Sequence, residues 1–476
     1  MPTGPRSSPA SRQPQSARAL ALAVLVKSVQ SEEGADVLLD RSLAPASLDS
    51  RDRGLALELT YGVLRRLGTL DWRLEPVLDK PLPRLPTVVQ MLLRLGAYQL
   101  LFLDRIPQSA AVNESVQLAK SQARALGRDW SGLVNAVLRQ LMRSPALPWP
   151  SLETDAAKAL AVRYSVPEWL SRRWIDRLGV ELAEAVCEGV NCVPPMTLRI
   201  NRTKMTRAEF LTRLSQEGIQ ARATSVSPVG LTVEGGGSIL SIPGFEQGVF
   251  YVEDEAAQMI PPLLDPQPGE VILDACAAPG GKSTHVAELM GDRGTIYAID
   301  RKDARLDLLR KNCIRLGLRC IVPIAGDIRQ PSEWSGALQS VEARSRVGDV
   351  LFDRILVDAP CSGLGVLRRH PEAKWRKDSA AFSRHHDLQA QILESVAPRL
   401  RPGGVLVYST CSTESEENED VIEQFLCAHA AFRRESVAPW IPPEAQAFLT
   451  ERGDLSTMAN RLSMDGFYAA RLKRVE

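Results

Sequence analysis

Two cysteines stand where a thiol could act as a nucleophile. The stretches Asp358-Ala-Pro-Cys-Ser-Gly363 and Ser409-Thr-Cys-Ser-Thr413 each close a short apolar run, Arg354–Asp358 and Val405–Ser409, so Cys361 and Cys411 fall just beyond the carboxyl ends of two expected strands. In open α/β sheets that edge is where ligands bind. Both loops are polar and rich in Gly and Ser, whereas a cysteine that merely packs sits in apolar surroundings. The other six, Cys187, Cys192, Cys276, Cys313, Cys320 and Cys427, have no such placement, and no C-x-x-C or Cys/His cluster at ligand spacing occurs. A zinc site and a disulfide scaffold are therefore not expected.

A second stretch prepares a ligand site. In Val271-Ile-Leu-Asp-Ala-Cys-Ala-Ala-Pro-Gly-Gly-Lys-Ser-Thr284 a buried strand runs into a turn of small residues and then a helix start. Ala277, Ala278, Gly280 and Gly281 let the backbone approach a ligand, and the helix N-terminus offers free N–H groups. A phosphate-binding P-loop would need glycine five residues before Gly281, where this chain has Cys276. The next apolar run ends in Asp300, 19 residues after Gly281, at the position where doubly wound folds hold ribose hydroxyls. Asp327, just past the third run, could meet an adenine amino group. Ribose recognition without a triphosphate cradle points to a nucleoside-type cofactor.

Taken together, Asp274-Ala-Cys-Ala-Ala-Pro-Gly-Gly-Lys282, Asp358-Ala-Pro-Cys-Ser-Gly363, Arg369-His-Pro-Glu-Ala-Lys-Trp375 and Ser409-Thr-Cys-Ser412 resemble the NOL1/NOP2/Sun family of S-adenosylmethionine-dependent RNA cytosine-5 methyltransferases, over about residues 240–476. Upstream, Arg105-Ile-Pro-Gln-Ser-Ala-Ala-Val-Asn-Glu-Ser-Val-Gln-Leu-Ala-Lys120 and Gly132-Leu-Val-Asn-Ala-Val-Leu-Arg139 resemble a NusB-type RNA-binding domain. The combination implies 16S ribosomal RNA as substrate and S-adenosylmethionine as cofactor. The family resemblance assigns the attacking thiol to Cys411 and the release step to Cys361, with Asp358 on the cytosine N3/N4 edge and Lys282 favouring the thiolate. Cofactor contacts map to Cys276, Ala277, Ala278, Pro279, Gly280, Gly281, Lys282, Asp300, Asp327 and Asp358. Transfer RNA as the methylated substrate, and a non-catalytic NusB-like antitermination factor, are the rival readings.

These residues need a scaffold, and the chain supplies one. Its 476 residues, 44% hydrophobic and 24% charged, are enough for two or three domains. Residues 1–15 read as a disordered tail, 16–143 as a helical NusB-like domain, 144–155 as a Pro-rich linker, 156–240 as a small α+β connector and 241–476 as a Rossmann-like methyltransferase domain. In that last segment Val271–Asp274, Thr295–Asp300, Ile321–Ala325, Arg354–Asp358 and Val405–Ser409 alternate with helical segments, the pattern of a parallel sheet covered on both faces. The closing stretch Arg461–Leu472, with its Asp465-Gly466 pair, reads as a hairpin at the sheet edge.

Charge is unevenly spread. The net charge of +1 divides into +6 over residues 1–150 and −5 over the rest. The segment Leu364–Lys377 adds a local excess of five Lys/Arg over one acid, and its place after Cys361 suggests phosphate contact. The acidic run Glu414 to Asp420 reads as a helix N-terminal turn, and His385-His386 as exposed helix surface. With no signal peptide and no membrane-length apolar run, the expectation is a cytoplasmic monomer that uses neither membrane nor metal.

Overall fold

A computed structural model describes residues 16–31, 33–235, 238–339, 350–458 and 464–475. The expected tail, 1–15, lies outside the described residues. The chain divides into two compact units, one of residues 1–191 with His370–Arg376, the other of Cys192–Arg369 with 377–476.

The first unit is helical: α1 (Ala17–Gln30), α2 (Ala35–Leu43), α3 (Ser50–Leu74), α4 (Thr87–Phe102), α5 (Gln108–Leu126), α6 (Ser131–Arg143), α7 (Ala156–Tyr164) and α8 (Glu168–Gly189). Local chemistry sets the boundaries. Asp49 caps α3 by accepting the Asp52 N–H, Pro86 and Pro107 precede α4 and α5, and Gly127 ends α5 in the left-handed region at φ 66°. Leu59, Val63, Leu92, Leu95, Val134 and Leu138 meet in the core between α3, α4 and α6. Helices α7 and α8 join this unit because α7 packs on α3: Thr69 Oγ1 donates to the Val162 carbonyl at 2.7 Å and Ser165 Oγ accepts from Gly68 N at 2.7 Å. At Gly179, with φ 78° and ψ 166°, α8 is kinked.

The second unit carries two sheets. Strands β1 (Met196–Ile200), β2 (Ala221–Ala223), β3 (Gly230–Val233) and β4 (Phe250–Val252) form an antiparallel sheet in the order β2-β3-β1-β4, with α9 (Arg207–Gln216) started by a Thr206/Glu209 capping box. Short helices α10 (Glu255–Gln258) and α11 (Ile260–Leu264) lead into β5 (Val271–Asp274), α12 (Gly281–Leu289), β6 (Thr295–Asp300), α13 (Asp303–Leu316), β7 (Ile321–Ala325), α14 (Pro331–Gln339), β8 (Phe352–Asp358), α15 (Ala380–Val396), β9 (Leu400–Thr410), α16 (Glu419–Ala428), β10 (Phe432–Glu435), β11 (Leu455–Ser456) and β12 (Tyr468–Arg474).

The large sheet runs β10-β12-β9-β8-β5-β6-β7, with β11 paired to β12. Its β9-β8-β5-β6-β7 part is parallel, and β12 and β10 add antiparallel. Two apolar layers cover the sheet: Leu263, Val286, Leu306 and Leu309 with the alternate residues Ile272, Ile296 and Leu356 on one face, and Trp334, Ile392, Leu393 and Phe425 with Leu273, Tyr297 and Ile355 on the other. Strands buried on both faces are why the sequence reads as unbroken apolar runs.

The closing stretch departs from the expected edge hairpin. Strand β12 lies inside the sheet between β9 and β10, and its hairpin partner is β11, so Asp465-Gly466 is not a two-residue turn. Arg461–Ser463 falls outside the described residues. The buried Asp465 carboxylate is instead bound by Arg368 and Arg369, and Gly466 N–H donates to the Gly365 carbonyl at 2.8 Å.

Candidate active site

The parallel order places the carboxyl ends of β9, β8, β5, β6 and β7 side by side, so the loop of Cys411, the loop of Asp358 and Cys361, the small-residue turn, Asp300 and Asp327 follow one another along one edge. The turn after β5 is shaped by Gly280, which precedes α12 at φ 104°, a conformation open to glycine at little cost. The first-turn N–H groups of α12 have no carbonyl one turn earlier in the helix to bond. Arg199, fully buried on β1, fixes this helix: it donates to the Gly281 carbonyl at 2.7 Å and to Thr284 Oγ1 at 2.9 Å, and pairs with Glu253 at 2.6 Å and Glu288 at 2.9 Å. Burial works against its charge, but the two carboxylates outweigh that and hold it firmly protonated. The antiparallel sheet thus positions the turn.

Carboxylates dominate the edge. Asp274 is buried and pushed up to about 7 by desolvation, against the Ser283 hydroxyl bond at 2.6 Å, and its Oδ1 has no partner. Asp300 accepts N–H bonds from Ala278 at 3.2 Å and Lys302 at 3.0 Å, which turn its carboxylate toward the small-residue turn. Asp327 is engaged on both oxygens by Arg329, at 2.6 and 3.0 Å, and these bonds hold it below the ordinary carboxylate range. Asp300 is also paired with Arg305 at 3.3 Å and Asp358 with Lys282 at 2.7 Å, so the edge presents carboxylate acceptors of the kind that hold ribose hydroxyls.

Between β8 and β9 lies the cysteine pair. Register Asp358↔Ser409 aligns the two strand ends, and Ala359 N–H continues the ladder to the Ser409 carbonyl at 2.8 Å. Cys361 Sγ and Cys411 Sγ are 3.3 Å apart. Contact with Cys411, then burial, pushes the Cys361 thiol well above its usual range, so the proton stays on Cys361. Beside them Lys282 Nζ binds Asp358 Oδ2 at 2.7 Å, while Ser409 Oγ donates to Asp358 Oδ1 at 2.9 Å. Burial pulls the Lys282 amine down, but Asp358, with Glu253 and Cys411, reverses the shift upward. The loop after Cys361 closes on the Cys411 loop at Gly365, whose N–H meets the Cys411 carbonyl at 2.9 Å and where a Cβ would lie 2.0 Å from the Gly466 carbonyl oxygen.

The basic segment does not present its cations as expected. Arg368 and Arg369 are bound to Asp254 and Asp465, with contacts of 3.1 Å and 2.7 Å to Asp254. Lys374, in the helical unit, is buried and donates to the Arg65 carbonyl at 3.0 Å and to Asn191 Oδ1 at 3.4 Å, and Arg376 donates to the carbonyls of Ser28 and Glu33. Four of the five cations are therefore committed to internal acceptors, because the loop is a packed element rather than a solvated one.

Two functional groups escaped the sequence reading. Arg199 was invisible because its partners lie 54 to 89 residues away. Glu417 sits within the acidic run: Glu419 and Asp420 do form the first turn of α16, but Glu417 turns inward and is wholly buried under the cysteine loops. The Ser that follows each reactive cysteine, Ser362 and Ser412, was the available signal, since buried hydroxyls need an acceptor. His386 lies on α15, with Nδ1 bonded to the Glu416 carbonyl at 2.7 Å. Among the described residues no group of three or more His, Cys, Asp or Glu could hold a metal, and no helix is long and apolar enough to cross a membrane.

A doubly wound sheet, a small-residue turn before α12 and ribose-suited acids at the strand ends define a methyltransferase fold of the S-adenosylmethionine-dependent class. Residues 261–473 match the family described as 16S rRNA methyltransferase RsmB/F, residues 166–240 its ferredoxin-like domain, and residues 15–143 the NusB family. The "Probable ribosomal RNA small subunit methyltransferase B" of Synechocystis is 39% identical over 460 residues, 96% of this chain and 99% of its own, and that of Bacillus subtilis 36% identical over 461 residues, 96% and 99%. The crystal structure of PH0851 aligns over 98% of this chain and 99% of its own with TM-score 0.79 and 26% identity, and a methyltransferase homolog of Pyrococcus horikoshii over 66% and 98% with TM-score 0.53 and 28% identity. The chain belongs to the ribosomal RNA small subunit methyltransferase B family.

Proposed function

We propose that this chain methylates C5 of a cytosine in 16S ribosomal RNA, with S-adenosylmethionine as methyl donor and a covalent bond between Cys411 and cytosine C6. The observation that carries the reading is the 3.3 Å contact of the Cys361 and Cys411 sulfurs beside the Lys282–Asp358 pair. C5 of cytosine is a poor nucleophile. A thiolate adding to C6 moves the ring electrons toward N3 and makes C5 enamine-like. Cys411, next to the Lys282 ammonium, supplies that thiolate.

Asp358 would accept from the cytosine amino group at N4, while Lys282 offsets negative charge as it develops on the ring. The turn Cys276–Lys282 would hold S-adenosylmethionine, with Asp300 toward its ribose and Asp327 toward its adenine, and the group would supply an electrophilic methyl for C5, leaving as the neutral thioether. Release needs the C5 proton removed as the sulfur–C6 bond breaks and its electrons return to Cys411. Cys361 suits this step. In the resting site it keeps its proton chiefly through its contact with Cys411; once Cys411 is bonded to carbon that restraint is gone, so Cys361 gives its proton to solvent and as a thiolate takes the proton from C5.

The target base must leave its stack to reach this edge, which favours looped or single-stranded RNA, and the net +6 of residues 1–150 suits the helical unit to the phosphate backbone. The test is methyl transfer from labelled S-adenosylmethionine to 16S ribosomal RNA and to transfer RNA, using wild type and Cys411→Ala. Incorporation into 16S RNA that Cys411→Ala abolishes is expected. Turnover by the variant contradicts the covalent route, and labelling of transfer RNA alone contradicts the substrate.

A further inference from the structure

Beneath the two reactive loops lies a carboxylate that the chemistry above does not use. Glu417 is completely buried, yet its hydrogen-bond partners are neutral, unlike the carboxylates that neutralise Arg199. Its Oε1 accepts the Ser362 backbone N–H at 2.6 Å, and its Oε2 accepts the Ser362 hydroxyl at 2.5 Å and the Ser412 hydroxyl. Ser362 directly follows Cys361, and Ser412 directly follows Cys411. The two hydroxyls also lie 3.2 Å from each other. One side chain therefore ties the backbone beside the first sulfur to the backbone beside the second.

The support for Glu417 is itself rigid. Tyr408 on β9 donates to the Glu417 carbonyl at 2.6 Å, and the Asn418 amide donates to the Ser412 carbonyl at 3.1 Å while accepting from the Thr410 hydroxyl. The brace thus reaches from the strand that ends at Cys411, through the turn Ser415–Glu417, and across to the loop of Cys361. Desolvation of a carboxylate is costly, and three donors aimed at one group on one side of a reactive pair are an arrangement that apolar packing would not need.

We propose that Glu417 is a positioning residue that holds the two cysteine loops at sulfur-contact distance. This rests on the reading that these two cysteines do the chemistry.

The test compares Glu417→Gln, which keeps the shape and two of the bonding options, with Glu417→Ala, which removes the brace. For Glu417→Ala, kcat is expected to fall by about 100-fold while KM for S-adenosylmethionine stays within about threefold, the signature of misplaced reacting groups. Glu417→Gln, which keeps an acceptor for the Ser362 N–H, should regain roughly tenfold of that loss. Wild-type kcat in both variants, or a Glu417→Gln no more active than Glu417→Ala, would overturn the proposal. Should Glu417→Ala fail to fold, Glu417→Gln decides alone: a kcat about tenfold below wild type at unchanged KM is expected, and a wild-type kcat overturns the proposal. Cys411→Ala assayed in parallel separates the two claims: its continued turnover sinks the covalent reading, whereas an inactive Cys411→Ala beside unaffected Glu417 variants sinks only the brace.

Discussion

Lys282 and Lys374 are both buried lysines, and they have opposite fates. Lys282 has a carboxylate at 2.7 Å, and Asp358 drives its amine upward against burial. Lys374 donates to the Arg65 carbonyl and the Asn191 side chain and lies 5.8 Å from the Trp375 ring centre, with Arg65 and Arg66 adding positive charge, so burial and repulsion push it down to about 7. The difference teaches that a basic residue near a reactive cysteine says little until its counter-charge is known. Lys282 is a held cation beside a thiol, whereas Lys374 is a packing group whose charge costs the helical unit stability.

The contrast is broken most severely at Lys282. Replacing it by Met should lower kcat/KM for RNA methylation by about 1000-fold or more, since both the thiolate and the charge developing on the ring lose their cation. A fall of less than about tenfold in steady-state kinetics would mean that the ammonium is structural. Asp358→Asn attacks the same pair from the other side and removes the hydrogen-bonded counter-charge of Lys282, a loss of about 2–4 kcal/mol of stability at neutral pH.

The sign of the pH dependence sharpens that second variant. In the wild type the raised Lys282 contributes stability that is complete below its unfolded value of 10.5 and is lost as pH rises through the folded one. In the Asp358→Asn variant burial acts without its main counterweight, the folded value drops below 10.5, and the group's stability contribution grows as pH rises toward 10.5. Melting curves from about pH 6.5 to 9.5 should show the wild type and Asp358→Asn converging, and parallel curves would contradict the pairing.

The smallest effect is expected at Lys374. Its amine falls from 10.5 unfolded to about 7 folded, so between those values the unfolded chain binds more protons and stability rises with pH, by at most about 1.4 kcal/mol per unit. Lys374→Met should remove that slope and change methyl transfer by less than about twofold. A slope that survives the substitution would assign the titration elsewhere.

How far the sequence carried this account follows from the range of the interactions involved. Strands β5, β6 and β7 were legible to the residue because double burial makes each an unbroken apolar run. The cysteine and cofactor loops were legible because they follow the strands directly. Helix α2 was missed: it is nine residues long, and Gly34 gives it no side-chain cap. Strands β2 and β4, three residues each, carry too little pattern to register. The basic segment and Asp465-Gly466 misled for one reason, since Asp254 and Asp465 meet Arg368 and Arg369 across 96 to 115 residues, a pairing that no local window contains. Glu417 looked like one more acid in a helix-start run, and only the fold turns it inward.

The central claim is that Cys411 bonds to the base and Cys361 lets it go. Its most direct test is a denaturing gel of Cys361→Ala incubated with S-adenosylmethionine and 16S ribosomal RNA. A slow-migrating protein–RNA band that accumulates in Cys361→Ala and vanishes in Cys361→Ala/Cys411→Ala is the predicted result. Absence of the band from Cys361→Ala, or its persistence in the double variant, would contradict it.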